Sequence, residues 1–474
     1  MLQVTDDLIR SVVGEVLASM KGRPVVAITT PAPGGRDGNG GVFESVDDAV
    51  QAAAVAQKQL DSLGLDGRKK ATDCIRKICI DKAEMLGLEE MEETKIGRLK
   101  HKVEKLITAG EKSPGVEFLR TAAFGSGGNL TLEEYAPFGV LGIITPVTHS
   151  LPTMANNAIS MIAAGNSVVC NPHPSGARVA CHGTQLFNQA IHKAIGIDNL
   201  ITIIGTPTLE SAQAIFDHRD VRLLCVTGGP AVGRAALRSP KRAIVAGPGN
   251  PPVVVDETAC LDNAAKSIIY GAAYDNNLLC IAEKEVFVVG AIFDEMMETM
   301  TKYKAIRLNA DQIARLTSTA FVKGDGGKLH VNKDFIGQDA AVLAKHAGVS
   351  VPADTELLFG ETDESHPFVD HEQMMPFVPF VRCPDVDVAI ALAKKYEHGF
   401  KHTAMIHSRN VDTITRMGRE MDVTIFVQNG PCTAGLGEAY LSFSIATPTG
   451  EGVTTPLTFT RVRRSATIGS MRVI

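Results

Sequence analysis

Cys280 lies in the run Asp275-Asn276-Asn277-Leu278-Leu279-Cys280-Ile281-Ala282-Glu283-Lys284-Glu285, where a polar turn gives way to a charged step and then to the apolar Val286-Phe287-Val288-Val289. A turn that offers basic neighbours or N–H donors favours a thiolate, and the thiolate is the form that attacks. Against that reading stands the plainer one, a small buried hydrophobe, which is the default for Cys74, Cys170, Cys225 and Cys260. A second stretch bears on what would become of an acyl group on Cys280. Ala246-Gly247-Pro248-Gly249-Asn250-Pro251-Pro252 contains no carboxylate that could activate water. The two stretches together suggest a thioester chemistry that bypasses hydrolysis. Histidines form no triad by spacing. His366, His371, His402 and His407 cluster in sequence, but His402 and His407 are not on one helix face, and no His-Glu-x-x-His run exists. A metal site is not expected. Glu372 reads, by itself, as an ordinary surface acid.

Two further stretches could hold a ligand. Val221–Val226 runs into Thr227-Gly228-Gly229-Pro230-Ala231-Val232-Gly233 and then the helix-like Arg234-Ala235-Ala236-Leu237. Such a strand, glycine turn and helix start presents N–H groups and a dipole to a phosphate. It is not the dinucleotide fingerprint, however, and tight strand-to-helix turns use glycine for steric reasons alone. Asn171-Pro172-His173-Pro174 follows another strand end, where ligands of open α/β sheets collect, and a plain turn explains it equally well.

The elements that would position these groups follow from periodicity. Thr5 can cap a first helix whose Leu8, Ile9, Val12, Val13, Val16, Leu17 and Met20 form one apolar stripe. A Pro- and Gly-rich linker follows from residue 21 to residue 41. Val42 to about Gly110 reads as helical, with segments Val46–Leu60 and Arg68–Met91. From Phe138 onward strands alternate with helices: Gly139–Thr145, Pro152–Ala164, Ser167–Cys170, Gly176–Ala194, Leu200–Ile204, Leu209–Asp217 and Val221–Val226. That alternation predicts a mainly parallel sheet covered by helices, and a second such region runs from Pro252 to about Gln428. Ser442–Ile474 reads as strands. The 474 residues exceed one ordinary domain. A hydrophobic share of 45 %, a net charge of -6 and no dense basic block argue against a nucleic-acid surface. Nine cysteines without metal spacing or a secretory signal fit reduced thiols in a cytoplasmic setting. No apolar run is long enough to span a bilayer.

Ordered motifs then add a resemblance. They include Gly41-Val42-Phe43, Pro137-Phe138-Gly139-Val140, Ile144-Thr145-Pro146, Ala163-Ala164-Gly165-Asn166 and Asn171-Pro172-His173-Pro174. Val226-Thr227-Gly228-Gly229, Ala246-Gly247-Pro248-Gly249-Asn250 and the Cys280 run follow. His366-Pro367-Phe368, His402-Thr403-Ala404, Pro448-Thr449-Gly450-Glu451-Gly452 and Phe459-Thr460-Arg461-Val462-Arg463-Arg464 complete the set. From Val42 to its end the chain resembles the aldehyde dehydrogenase superfamily, in its CoA-acylating branch, the propionaldehyde and acetaldehyde dehydrogenases of bacterial microcompartments.

The resemblance implies an α/β fold. A Rossmann-type cofactor domain would span residues 42–250, with oligomerisation strands at about 117–136. An α/β catalytic domain would follow at 251–430, and a C-terminal oligomerisation segment at 431–474. It implies Cys280 as the nucleophile toward a short aldehyde, propionaldehyde, lactaldehyde or acetaldehyde, and CoA as the acceptor of the thioester. His149 stands where relatives carry an oxyanion-binding asparagine. Thr145, Pro146, Asn171, His173, Thr227, Gly228, Gly229, Gly233, Gly247 and Glu372 fall at cofactor positions. Glu372 matches the glutamate that holds the nicotinamide-side ribose. Asn171 replaces a lysine at the adenine ribose, which favours NAD over NADP. Residues 1–20 resemble encapsulation peptides, implying a shell-protein partner, a microcompartment lumen and a homo-oligomer, dimer or tetramer. The competing readings are a hydrolytic aldehyde dehydrogenase with its base elsewhere and an inactive scaffold of the same fold.

Overall fold

Short apolar runs flanked by turn residues become two parallel sheets in the computed structural model, which describes residues 39–324, 327–437 and 440–471. The expected N-terminal helix and nearly all of the linker lie outside the described residues.

The first sheet has six strands, in the spatial order Val42–Phe43, Ile201–Ile204, Ser167–Pro172, Val140–Thr145, Val221–Thr227 and Arg242–Ala246. All its pairings are parallel. Val140–Thr145 and Ser167–Pro172 are buried along their whole length, as strands covered on both faces must be. The order is informative. From Val140–Thr145 the next two strands in sequence lie to one side, and the two after them lie to the other. Such a reversal leaves a crevice at the carboxyl ends of the two diverging strands. Thr145 and Thr227 end those strands.

Helices cover this sheet for local reasons. Val46–Ser62 starts at Ser45, whose hydroxyl accepts the Asp48 N–H, with Asp47 and Asp48 in its first turn. Ala49, Val50, Ala53, Ala56 and Leu60 recur at helical spacing and are buried. The expected Arg68–Met91 helix is two helices, Gly64–Asp81 and Ala83–Thr94, which break at Lys82. Leu99–Lys112 adds another, and it buries His101, Lys102 and Lys105 with Leu106 and Ala109. Charged side chains on an inward face are costly unless they are partnered.

The second sheet has seven parallel strands, ordered Ala305–Arg307, Leu357–Thr362, Phe377–Cys383, Glu285–Val289, Pro252–Val255, Thr403–His407 and Ile425–Gln428. A separate antiparallel sheet pairs Asn129–Pro137 with both Ala122–Ser126 and Thr460–Thr467. The tail is less uniformly stranded than its composition predicts. Only two-residue strands, Ile445–Ala446 and Gly452–Val453, and a short helical turn precede Thr460–Thr467. Before reaching that arm the tail packs back on the first sheet. Ser444 Oγ lies 2.9 Å from Thr227 Oγ1, and the Val245 N–H donates to Thr449 Oγ1 at 3.1 Å. Among the described residues, no helix is long and apolar enough to cross a membrane.

Candidate active site

Four loops lead into four adjacent strands of the seven-stranded sheet: Phe377–Cys383, Glu285–Val289, Pro252–Val255 and Thr403–His407. Their last residues before the sheet carry Glu372, Cys280 with Lys284, Gly249 with Asn250, and His402. Parallel pairing puts all four entries on one edge, so residues more than a hundred positions apart in the chain become neighbours.

Gly249 is the hinge of this convergence. A Cβ there would overlap the Cys280 carbonyl oxygen and sit 3.0 Å from His402 Cγ. Only hydrogen fits between nucleophile loop and imidazole. Burial raises the Glu372 carboxyl, and the Lys284 charge and then the Gly249 N–H act against it. Asn250 secures the loop from behind, donating to the Val369 and Tyr396 carbonyls at 3.0 and 2.9 Å.

Cys280 keeps part of its surface open, while its sulfur lies deep enough for burial to govern its ionisation. Burial and the nearby Glu372 charge push the thiol up to about 12, against the pull of the Lys284 ammonium and the local N–H groups. The polar turn was expected to favour thiolate. Without ligands it does not, because the turn's polar groups are spent on other partners. Lys284, itself fully buried, gives its N–H groups to the Asn277 carbonyl at 3.0 Å, Asn277 Oδ1 at 2.6 Å and the Leu279 carbonyl at 3.3 Å.

His402 escapes the reasoning from spacing, although its tripeptide belongs to the resemblance. Its Nδ1 lies 2.9 Å from Thr403 Oγ1, and its Nε2 is buried with no partner. Burial and Lys284 hold it neutral, lowering it to about 4. A neutral imidazole with one free nitrogen beside a cysteine can accept a proton.

His149 caps the Ser150–Ala163 helix at the end of the loop that follows Thr145. Burial first, and then the charges of Lys105 and Lys102, hold its imidazole neutral. Its Nδ1 is buried and has no partner. The ring packs 5.6 Å from that of Phe443, which fixes the plane of a side chain that can donate one N–H.

The remaining expected positions line the carboxyl ends of the six-stranded sheet. Thr145 is buried, with Oγ1 3.5 Å from Ser150 Oγ, and Pro146 follows it. Thr227 begins the glycine turn, and the helix Pro230–Arg238 starts at Gly229 with no side chain capping it. Its first N–H groups are open, and a Cβ at Gly229 would meet nothing within 4 Å. A phosphate therefore has both space and donors there. Gly233 serves packing, since a Cβ there would lie 3.0 Å from Val245 Cγ1. Gly247 sits as tightly against Pro448, at 2.7 Å from its Cγ. His173 Nδ1 accepts the Ser175 N–H, making a turn cap. Asn171 is committed within the protein: its Oδ1 accepts from Ser211 Oγ at 2.5 Å, and its Nδ2 donates to the Thr208 carbonyl at 3.4 Å. No group of residues suited to a metal ion occurs among the described residues.

Comparison with known proteins identifies relatives of the chain. Residues 40–440 match the model of the family described as "Aldehyde dehydrogenase family". The acetylating acetaldehyde dehydrogenase EutE of Escherichia coli K12 is 45 % identical over 439 residues, 92 % of this chain and 94 % of that one. A Rhodopseudomonas palustris propionaldehyde dehydrogenase, solved with bound CoA and an acylated cysteine, aligns with TM-score 0.88 and 42 % identity over 92 % of this chain and 100 % of its own. A propionaldehyde dehydrogenase from the fucose-utilisation microcompartment of Clostridium phytofermentans gives 0.88 and 40 %, over 92 % and 100 %. An engineered glycolyl-CoA reductase with bound NADP+ gives 0.88 and 41 %, over 92 % and 99 %.

Proposed function

The chain belongs to the aldehyde dehydrogenase family, in its CoA-acylating branch, and from that premise we propose that it oxidises a short aldehyde to acyl-CoA through a thioester on Cys280. The observation that carries this reading is the convergence at Gly249. The loop that packs on the nucleophile brings no carboxylate, only a hydrogen atom and the neutral His402 beyond it.

The residues divide the work as follows. Cys280 sulfur adds to the aldehyde carbonyl carbon, and its proton passes to solvent water as it does so. The carbonyl oxygen gains negative charge, which the Cys280 N–H and the neutral His149 imidazole stabilise as donors. A nicotinamide dinucleotide held at the Thr227–Gly233 turn and by Glu372 would accept the hydride that the hemithioacetal carbon then loses. The Gly249 loop brings no carboxylate to activate water against the acyl-cysteine, an absence worth about 10²–10⁴-fold in rate. His402 Nε2 takes the proton of the CoA thiol. The CoA sulfur then attacks the acyl carbon, and the Cys280 sulfur departs as a thiol, taking that proton from His402.

Propionaldehyde, lactaldehyde and acetaldehyde fit the reading equally. The dinucleotide preferred is NAD, because Asn171 offers no charge to a 2′-phosphate and its amide is already bonded. A kcat/KM higher with NADP would refute that preference. The Ala122–Ser126, Asn129–Pro137 and Thr460–Thr467 sheet, in which Thr460 alone is buried, serves homo-oligomer assembly, which the mass in solution tests.

The chemical test is to trap the intermediate. Incubation with propionaldehyde and NAD should leave a propionyl group on Cys280, visible as added mass on its peptide and removed by CoA. Label on another residue, or none on Cys280, would refute the reading. His402→Gln should leave acylation near its native rate and slow release to CoA about 100-fold.

A further inference from the structure

The most unusual backbone in the molecule precedes the nucleophile. Asp275, Asn276 and Asn277 are three consecutive residues other than glycine in the left-handed region, at φ +50°, +56° and +66°. Asn and Asp tolerate that region singly, and a run of three persists only where surrounding contacts dictate it.

Those contacts come from outside the loop. The Arg98 N–H donates to Asp275 Oδ1 at 2.8 Å, and Arg98 Nε donates to Asn276 Oδ1 at 2.6 Å. The Asp275 N–H donates to His101 Nδ1 at 2.8 Å, and the His101 ring stacks on Tyr274 at 4.2 Å. Asn276 Nδ2 reaches Asp339 Oδ1 at 2.9 Å. Lys105 Nζ closes on Asp275 Oδ2 at 2.5 Å.

The same lysine also faces the other half of the site. Its Nζ donates to the Thr148 carbonyl at 3.1 Å, and Lys102 Nζ donates to that carbonyl at 3.0 Å. Thr148 immediately precedes His149. Lys102 is completed by Glu90 Oε1 at 3.3 Å, so two cations meet two carboxylates, all four buried. A buried charge cluster of this kind is a poor source of stability, since well-packed apolar side chains do as well. What it does supply is fixed geometry, because each cation has few places to go.

We propose that Lys105, supported by Lys102, is a positioning residue that locks the carbonyl before the oxyanion donor and the loop before the nucleophile into one register. The inference rests on the roles given above to Cys280 and His149. One ammonium group spans two segments that different domains supply, and the Leu99–Lys112 helix carries it. The two lysine charges also help keep His149 neutral, the form that can donate from one nitrogen and still ignore a proton.

The test is a rapid-mixing measurement on the full chain with propionaldehyde and NAD, without CoA, following the NADH burst. Lys105→Met should slow the burst rate constant about 100-fold, the size expected when an oxyanion donor is misplaced, with near-native amplitude. Alkylation of Cys280 by iodoacetamide, which builds no oxyanion, should change less than about threefold. Lys105→Arg, which keeps the charge and two donors, should recover part of the rate. Should Lys105→Met not fold, Asp275→Asn breaks the same link and should slow the burst in the same way. A normal burst rate constant in the variant, with or without lost amplitude, overturns the inference and leaves the thioester reading standing. A native enzyme that shows no burst overturns both.

Discussion

Cys280, the proposed nucleophile, is a poor thiolate in its resting environment. Desolvation and Glu372 raise the Cys280 thiol to about 12, and Lys284 only partly offsets them. A raised thiol is protonated at every pH below that value, so its thiolate fraction climbs about tenfold per pH unit throughout. Iodoacetamide alkylation of the ligand-free enzyme should therefore accelerate steadily from pH 7 to 10. A plateau near pH 8 would show that another group activates the thiol. Cys280 could be singled out in the sequence by its polar turn and its resemblance. His402 and Lys284 could not, because neither spacing nor composition reveals that a histidine and a lysine are buried beside the Cys280 loop. The three consecutive left-handed residues had a faint signal in Asp-Asn-Asn, which favours turns. Their anchors, Lys105 and Arg98, had none.

Loops and strand ends carry the site at the next scale. Parallel pairing gathers the four entries at one edge of the seven-stranded sheet, and the reversal of strand order opens the crevice beside Thr145 and Thr227. The strands themselves were legible, since apolar runs such as Val140–Thr145 and Val221–Thr227 stand between glycine and polar turns. The order of strands in the sheet was not, because it depends on pairing between segments far apart in the chain. Gly249 shows the difference. In the sequence it is one of two glycines in a Pro-rich turn, whereas in the fold it is the contact between the Cys280 loop and the imidazole. Gly249→Ala should lower turnover about 100-fold, since a shift of about 1 Å at the reacting groups costs that much. Its melting temperature should fall as well, because the overlapping Cys280 carbonyl must move. Native turnover in this variant would mean that the two loops do not act as one unit.

At the scale of the whole molecule, the described residues combine a crevice on one sheet, the Cys280 edge on the other, and an antiparallel arm whose third strand comes from the tail. The division near residue 250 was legible as a second onset of strand–helix alternation, and the tail's return to the first sheet was not. Ser444 and Thr449 meet that sheet through contacts that no periodicity encodes. At this scale residues 1–20 have no catalytic duty in the proposed reading, and we propose that they dock to a microcompartment shell. Removing residues 1–20 should leave CoA-dependent NADH formation intact and abolish co-sedimentation with shell protein; lost activity would assign the segment to the catalytic unit instead.

The central claim is that the acyl group on Cys280 goes to a thiol and not to water, and NADH stoichiometry tests it most directly. With aldehyde and NAD alone, NADH should stop at about one equivalent per active site, because water is not activated there. Adding CoA should restart it and sustain turnover until substrate is consumed. Sustained NADH formation without CoA, over many turnovers, would contradict the account and point to a hydrolytic enzyme.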